Sequence, residues 1–230
     1  MGDTDGRVVL VESDFRSGQC RRPVEIDPMT KVITGLSTSI DGFIAGPDDS
    51  PELPLGVGGD RLFRWFRDGD VPSRFYEWMQ MSAVSARFFD DLAARVGAVV
   101  AGRRTYDVSR AWGGTGPIPG VPLFVMTHRV PDAVPAGEPP YTFVTDGIEH
   151  AVEQALGAAG EKDVGLMGAT IVQQCLRARL LDELTVDLVP VVLGRGARLL
   201  DDLEPGSVEL ELVNVVDAPG VTHLTYRVVK

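Results

Sequence analysis

Cysteine is scarce in this chain: two in 230 residues, Cys20 near the N-terminus and Cys175 inside an amphipathic stretch. A disulfide scaffold is excluded, and although one distant pair could bond in principle, the usage suits a reduced, cytoplasmic setting. Histidine is scarce too. His128, His150 and His223 share no short spacing with one another or with a cysteine, so no metal site is expected. No run of about 18 apolar residues occurs, which excludes a membrane-spanning helix. The opening residues, MGDTDGRVVL, have no basic flank leading into an apolar stretch, so no secretory signal is expected. Basic side chains are outnumbered, 22 Lys and Arg against 33 Asp and Glu. The resulting net charge of −11 argues against nucleic acid or an anionic membrane as a partner. No GxSxG elbow is present, and Gly56-Val57-Gly58-Gly59 does not follow a strand, so neither covalent hydrolysis nor a dinucleotide fingerprint is indicated.

What is present is an ordinary globular composition, 44% apolar and 24% charged, at a length that suits one domain. Residues 1–28 stand apart as an N-terminal extension with one strand-like piece, Val8–Val11; it reads either as an accessory tail or as an added edge strand. From residue 29 strands and helices alternate. Lys31–Ser37 reads as a strand, followed by an Asp41-Gly42 turn and the short apolar FIA. An aromatic-rich insertion at about 59–82 holds two short segments expected to be helical, split by Gly69 and Pro72. Val84, Phe88, Leu92 and Val96 recur at helical spacing, with Asp90 and Asp91 on the polar face. Strands are expected at 98–101, 123–127, 142–144 and 164–167. Asp146, with Glu149 three residues on, suggests a capped helix before the last of these, and Ile171, Val172, Cys175 and Leu176 form one face of another helix. Beyond Leu181 the period becomes two. Leu184, Val186 and Leu188 alternate with Thr185 and Asp187, and two further half-exposed strands flank Asp217–Gly220 as a hairpin. This order predicts an α/β sandwich with a mostly parallel sheet, antiparallel C-terminal strands and a ligand site at the carboxyl ends of the strands.

Three strand exits carry phosphate-binding chemistry. In AGRRTYD, Gly102 opens the backbone, a helix start offers free N–H groups, and Arg103 and Arg104 supply charge beside Thr105. The alternative is a strand exit whose arginines reach out to solvent. Thr127, His128 and Arg129 close a second strand, where a hydroxyl beside an arginine suits a ribose 2′-phosphate; a polar loop is the other reading. Gly168, Ala169, Thr170 and Ile171 join a third strand to a helix start, either for passage of a pyrophosphate or simply for tight packing. Trp65, Phe66, Phe75, Tyr76 and Trp78 could roof a flat ring or form core or a dimer contact.

LSTSIDGFIAGPDD, VVAGRRTYDV, FVMTHR and GLMGATIVQQCLRARLLDELTVDLVPVVLGRGARLL, in that order, resemble the RibD C-terminal-domain family of dihydrofolate-reductase-like proteins. The resemblance implies a dihydrofolate-reductase-like three-layer sandwich over residues 29–230, a homodimer, and an NADPH-dependent oxidoreductase acting on a small, heterocyclic substrate. It implies cofactor phosphates on GRRTY, the adenosine end on THR, and pyrophosphate on Gly168–Ile171. The loop carrying Asp41, Gly42, Ala45 and Gly46 would lie beside the nicotinamide and substrate. Departures are equally specific. Riboflavin-biosynthesis reductases have DGK where this chain has Asp41-Gly42-Phe43, and a glutamate before a Gly-Gly pair where it has Met167. Counting back from Gly102 to the place where folate reductases carry an acid reaches Ala86, flanked by Ser85 and Arg87. With no acid carried over, Asp41 and Tyr76 are the candidate proton donors, each with a structural alternative as turn or packing residue. The remaining readings are 5-amino-6-(5-phosphoribosylamino)uracil reductase and a non-catalytic nucleotide-binding dimeric module.

Overall fold

The computed structural model describes residues 30–137 and 139–230; the expected extension at 1–28, with Cys20, lies outside them. Short β-branched runs become strands and amphipathic stretches become helices, as their periods dictate. The first half holds β1 (Val32–Ser39), β2 (Phe43–Ala45), β3 (Val71–Pro72), β4 (Gln80–Met81), α1 (Ala83–Arg95), β5 (Val96–Gly102) and α2 (Arg103–Val108). The second holds β6 (Leu123–Met126), β7 (Thr142–Val144), α3 (Ile148–Ala159), β8 (Asp163–Met167), α4 (Ala169–Arg177), β9 (Glu183–Val189), β10 (Ala197–Arg198), β11 (Glu209–Ala218) and β12 (Val221–Val229).

The main sheet has the order β11-β12-β9-β1-β8-β5-β6-β7. From β9 to β7 all neighbours are parallel, while β12 runs antiparallel to both β9 and β11. Helices cover both faces. On one, Ile148, Val152 and Ala155 of α3 and Ile171, Val172 and Cys175 of α4 seal Ala98, Val100, Val164 and Leu184. On the other, α1 and α2 cover Ile33, Val99, Ala101 and Val125, and the aromatic insertion packs with α1 over Val189 and Val221. Each fully buried aliphatic side chain contributes about 1.5–3 kcal/mol, so these two apolar layers drive the sandwich together. Gly35 lets α1 lie close on β1, since a Cβ there would come within 2.7 Å of Leu92 Cδ2.

Four local expectations change in the fold. Asp146 does not cap α3; Gly147, at φ 106°, precedes the helix without a side-chain cap, and the Asp146 carboxylate receives the Thr145 hydroxyl instead. Of the two aromatic segments, only Gly59–Phe66 is helical, as a 3-10 turn; the second runs irregularly between β3 and β4. Asp90 is not on a wet face. It is 5% exposed and accepts hydrogen bonds from the Ser73 hydroxyl at 2.7 Å and from Arg74 N and Nε at 3.0 and 3.1 Å. The insertion folds back over α1 and uses this carboxylate as its latch. For the same reason β9 has no wet face: Thr185 and Asp187, the polar half of its alternation, are buried beneath α1 and the insertion.

Candidate active site

β1, β5, β6 and β8 end at one edge of the sheet, and a cleft of about 1260 Å³ opens across those ends. Ligand pockets are commonly about 300–1,000 Å³, so this one has room for a dinucleotide together with a second small molecule. All eleven residues assigned to cofactor binding, from Gly102–Thr105, Thr127–Arg129 and Gly168–Ile171, line it. The parallel order brings them together: β5 is hydrogen-bonded to both β6 and β8, so three strand exits distant in sequence become neighbours. The starts of α2 and α4 face this space without a side-chain cap, leaving their first N–H groups available to an anion.

Gly168 makes the approach possible. Its φ is 100°, and a Cβ would meet Thr105 Oγ1 at 2.5 Å, so only glycine lets the β8–α4 turn pack directly against the start of α2 and set the two helix starts side by side. A pyrophosphate fits such a cradle, whose walls are backbone and hydroxyl groups. The arginines are already engaged. Arg103 bonds Asp107 at 2.8 Å and the Arg129 carbonyl at 2.8 Å; Arg129 bonds Asp132 at 2.9 Å. Arg104 holds Asp49 at 2.7 Å, strapping the loop after β2 onto α2, and the Asp49 carboxylate pushes the guanidinium pKa up. These pairs are exposed enough to exchange for a phosphate at little loss, since surface ion pairs contribute roughly 0–1 kcal/mol.

The opposite end is apolar and aromatic. Phe63, Phe66, Tyr76, Trp78 and Phe89 line it, whereas Trp65 is 2% exposed and belongs to the core beneath, and Phe75 does not reach the cleft. Burial pushes the Tyr76 phenol up to about 12, so at neutral pH it is a hydrogen-bond donor and a poor acid. Of the four residues expected beside the nicotinamide, Ala45 at the end of β2 lines the cleft, with its neighbour Ile44; Asp41, Gly42 and Gly46 do not. Asp41 is occupied in holding that loop. Its carboxylate accepts from the Ser39 hydroxyl at 2.6 Å and from the Leu193 and Gly194 N–H groups at 3.1 and 2.6 Å. Led by the Ser39 hydroxyl, these bonds hold its pKa at about 2. Two cleft-lining carboxylates escaped sequence reasoning: Asp49, held by Arg104, and, at a buried position, Asp187 on β9. Its signal, a polar residue alternating with leucine and valine, is that of any solvated strand face.

This architecture, a mostly parallel sheet finished by an antiparallel hairpin with its cleft across the carboxyl ends, is the dihydrofolate-reductase-like α/β sandwich. The chain belongs to the RibD C-terminal domain family, whose pattern matches residues 30–224. No curated protein matches it. Among solved structures, a Shewanella sp. PV-4 protein named for riboflavin biosynthesis is 23% identical and aligns over 87% of this chain and 100% of its own, with a TM-score of 0.66. Dihydrofolate reductase from Enterococcus faecalis, solved with NADP(H), is 14% identical over 88% of this chain and 98% of its own, at a TM-score of 0.54. The Thermotoga maritima diaminohydroxyphosphoribosylaminopyrimidine deaminase/5-amino-6-(5-phosphoribosylamino)uracil reductase is 14% identical over 86% of this chain, at 0.53; this chain spans 56% of it. At such identities the likeness is one of fold. Among the described residues, no helix is long and apolar enough to cross a membrane, and no cluster of His, Cys, Asp or Glu could hold a metal.

Proposed function

We propose that the protein is an NADPH-dependent reductase that passes a hydride to a small, flat heterocyclic substrate. The observation that carries this reading is the single cleft that joins a glycine-built phosphate cradle at Gly168 to an aromatic chamber. In it, the α4 start and Gly168–Ile171 hold the pyrophosphate, Gly102–Thr105 a further phosphate, and Thr127, His128 and Arg129 the adenosine end. Phe66, Tyr76 and Trp78 form an apolar wall for the substrate ring and keep water from it. Bound reduced nicotinamide supplies the hydride, and the protein's part is to orient the two rings and exclude solvent. Asp41 acts at one remove, by fixing the turn that leads into β2, whose Ala45 borders the cleft.

Family membership favours the riboflavin-pathway reaction as a second reading. Against it, the position of the expected lysine holds Phe43, 4% exposed with the Arg198 guanidinium 4.4 Å from its ring, and Met167 lines the cleft in place of the glutamate. A substrate without a sugar phosphate suits these residues better. The protein is further proposed to be a homodimer, because the edge strand β11 leaves Leu212, Val213 and Val215 half or more exposed.

The test is a titration by fluorescence or calorimetry. One arginine–phosphate contact is worth roughly 1.5–3 kcal/mol, so NADPH is expected to bind at least about tenfold tighter than NADH. Equal affinities would remove the 2′-phosphate assignment, and no binding of either would leave the non-catalytic reading. Turnover with a panel of pterins, pyrimidines, quinones and enones then identifies the substrate class.

A further inference from the structure

A chain of buried polar groups leads away from the aromatic end of the cleft. Asp187 lines the cleft, and its Oδ1 lies 2.7 Å from Nδ1 of His223, its direct cross-strand partner on β12. His223 Nε2 lies 3.1 Å from the Ser85 hydroxyl in the first turn of α1. His223 is 0% exposed, Ser85 1% and Asp187 7%. Phe88 stacks on the imidazole at 4.3 Å and Trp65 meets its edge at 5.1 Å, so the ring plane is fixed. The Trp65 indole N–H is itself held by Ser37, another cleft residue, at 3.1 Å.

The order of exposure rules out a nucleophilic triad. The serine is at the buried end and the carboxylate faces the cleft, so the hydroxyl has no access to an acyl group. What the arrangement can do is move a proton. A carboxylate can only accept from Nδ1, so Nδ1 carries hydrogen and Nε2 is the variable atom. A serine hydroxyl both donates and accepts, so it satisfies Nε2 whether the ring is neutral or charged. The buried imidazole can therefore gain or lose a proton without stranding a polar atom, which buried groups ordinarily cannot. Asp187 Oδ2 meanwhile has no hydrogen-bond partner among the described residues and is open to the cleft.

We propose that Asp187 is the proton-donating group of the reductive site, with His223 and Ser85 as positioning residues behind it. The inference rests on the reductase reading above. The substrate carbon of a C=N or C=O bond receives the hydride, its π pair moves to the nitrogen or oxygen, and that atom takes the proton from Asp187. The carboxylate is reprotonated from solvent through the cleft. The balance is one proton and one reduced nicotinamide consumed, giving saturated product and oxidised nicotinamide. This supplies the acid that is missing from α1, where Ser85 and Ala86 stand instead. Few other groups compete. From the elements packed around the pair come Ser85 and Phe88 of α1, Ser37 of β1 and Trp65 of the insertion, all uncharged. Tyr76 is the other titratable side chain at the aromatic end; Asp49, Arg103, Arg104, His128 and Arg129 line the phosphate-binding part.

The experiment uses the full chain with NADPH and 2-aminopyridine, a flat weak base, at millimolar concentration and at a pH where the free base is neutral. Calorimetry in two buffers of different ionisation enthalpy reads affinity and proton uptake together. The parent is expected to bind the base with uptake of a proton. Asp187→Asn should weaken it about tenfold or more and abolish the uptake, because a charge-assisted hydrogen bond is lost. His223→Gln can still donate to Asp187 but cannot hold a proton, so it should keep most of the affinity while shifting the pH profile of uptake. NADPH affinity within about twofold of parent in every variant, with a folded melting profile, shows that the cofactor half is intact. Failure of the parent to bind NADPH would sink the reductase reading itself. If NADPH binds but 2-aminopyridine does not, or Asp187→Asn binds it with undiminished affinity and uptake, the assignment of Asp187 is overturned.

Discussion

Gly168→Ala is the sharpest probe of the cleft. The residue sits at φ 100° and ψ 140°, a region essentially closed to side chains, and the added Cβ would lie 2.5 Å from Thr105 Oγ1. Backbone strain of this kind costs about 1–3 kcal/mol. Relief of the clash requires Thr105, stiff at χ1, to rotate or α2 to shift, which adds about 1 kcal/mol as mild overpacking. The expected total of about 2–4 kcal/mol corresponds to a fall in Tm of roughly 5–15 °C in a domain of this size. Thr105→Ala alone should be nearly neutral, and combined with Gly168→Ala it should recover about the 1 kcal/mol of the clash while leaving the strain. Thermal and urea unfolding of the four proteins closes the cycle, and NADPH titration well below each transition separates binding from folding. Affinity should fall at least about tenfold in Gly168→Ala even where the protein is fully folded, because the methyl group forces apart the two helix starts proposed to hold the phosphates. A variant that melts like the parent would refute the strain argument. One that is destabilised as expected yet binds NADPH normally would remove the pyrophosphate from this turn.

Arg104→Ala should leave stability within about 1 kcal/mol of the parent, its pair with Asp49 being 65% and 28% exposed, while NADPH affinity falls about tenfold; parallel melting and titration check this. Asp90→Ala leaves the Ser73 hydroxyl and the Arg74 N–H groups without their acceptor and should cost about 2–4 kcal/mol, with protease cutting within residues 67–81 as the local readout. The Asp41 carboxyl is held at about 2, below its ordinary 3.8, so its contribution is complete above pH 4 and is lost as pH falls through 2; Asp41→Asn should flatten that limb of a Tm-against-pH curve. Burial pushes the Cys175 thiol up to about 12, so in a Cys20→Ser variant the native protein should not react with Ellman's reagent until denaturant is added. Light scattering at micromolar concentration should give about twice the 24.8 kDa subunit mass, and a single-subunit particle would refute the proposed dimer.

Contiguous residues carried most of the fold. The period of the apolar residues placed β7 at 142–144, the C-terminal hairpin around Asp217–Gly220 and α1 to within a residue or two, because each pattern reports which side of one element is buried. The cluster of strand exits proposed to hold phosphate was legible for a similar reason. A strand exit, a glycine and a helix start are consecutive in the chain, and their free N–H groups follow from local geometry alone. What lay beyond the sequence depends on which element covers which face. Asp90 and Asp187 have the alternation of solvated residues, and they are buried only because the insertion and α1 close over them. Ser85, Asp187 and His223 come from α1, β9 and β12, and no spacing links them. Sheet order sets His223 opposite Asp187 and lays α1 across both. Asp41 moved the other way, from candidate acid to loop fastener, once the backbone N–H groups of Leu193 and Gly194 arrived from the far side of β9. A side chain's type limits the chemistry it can do, but solvent exclusion and hydrogen-bond partners decide what it does, and both are properties of the packed chain.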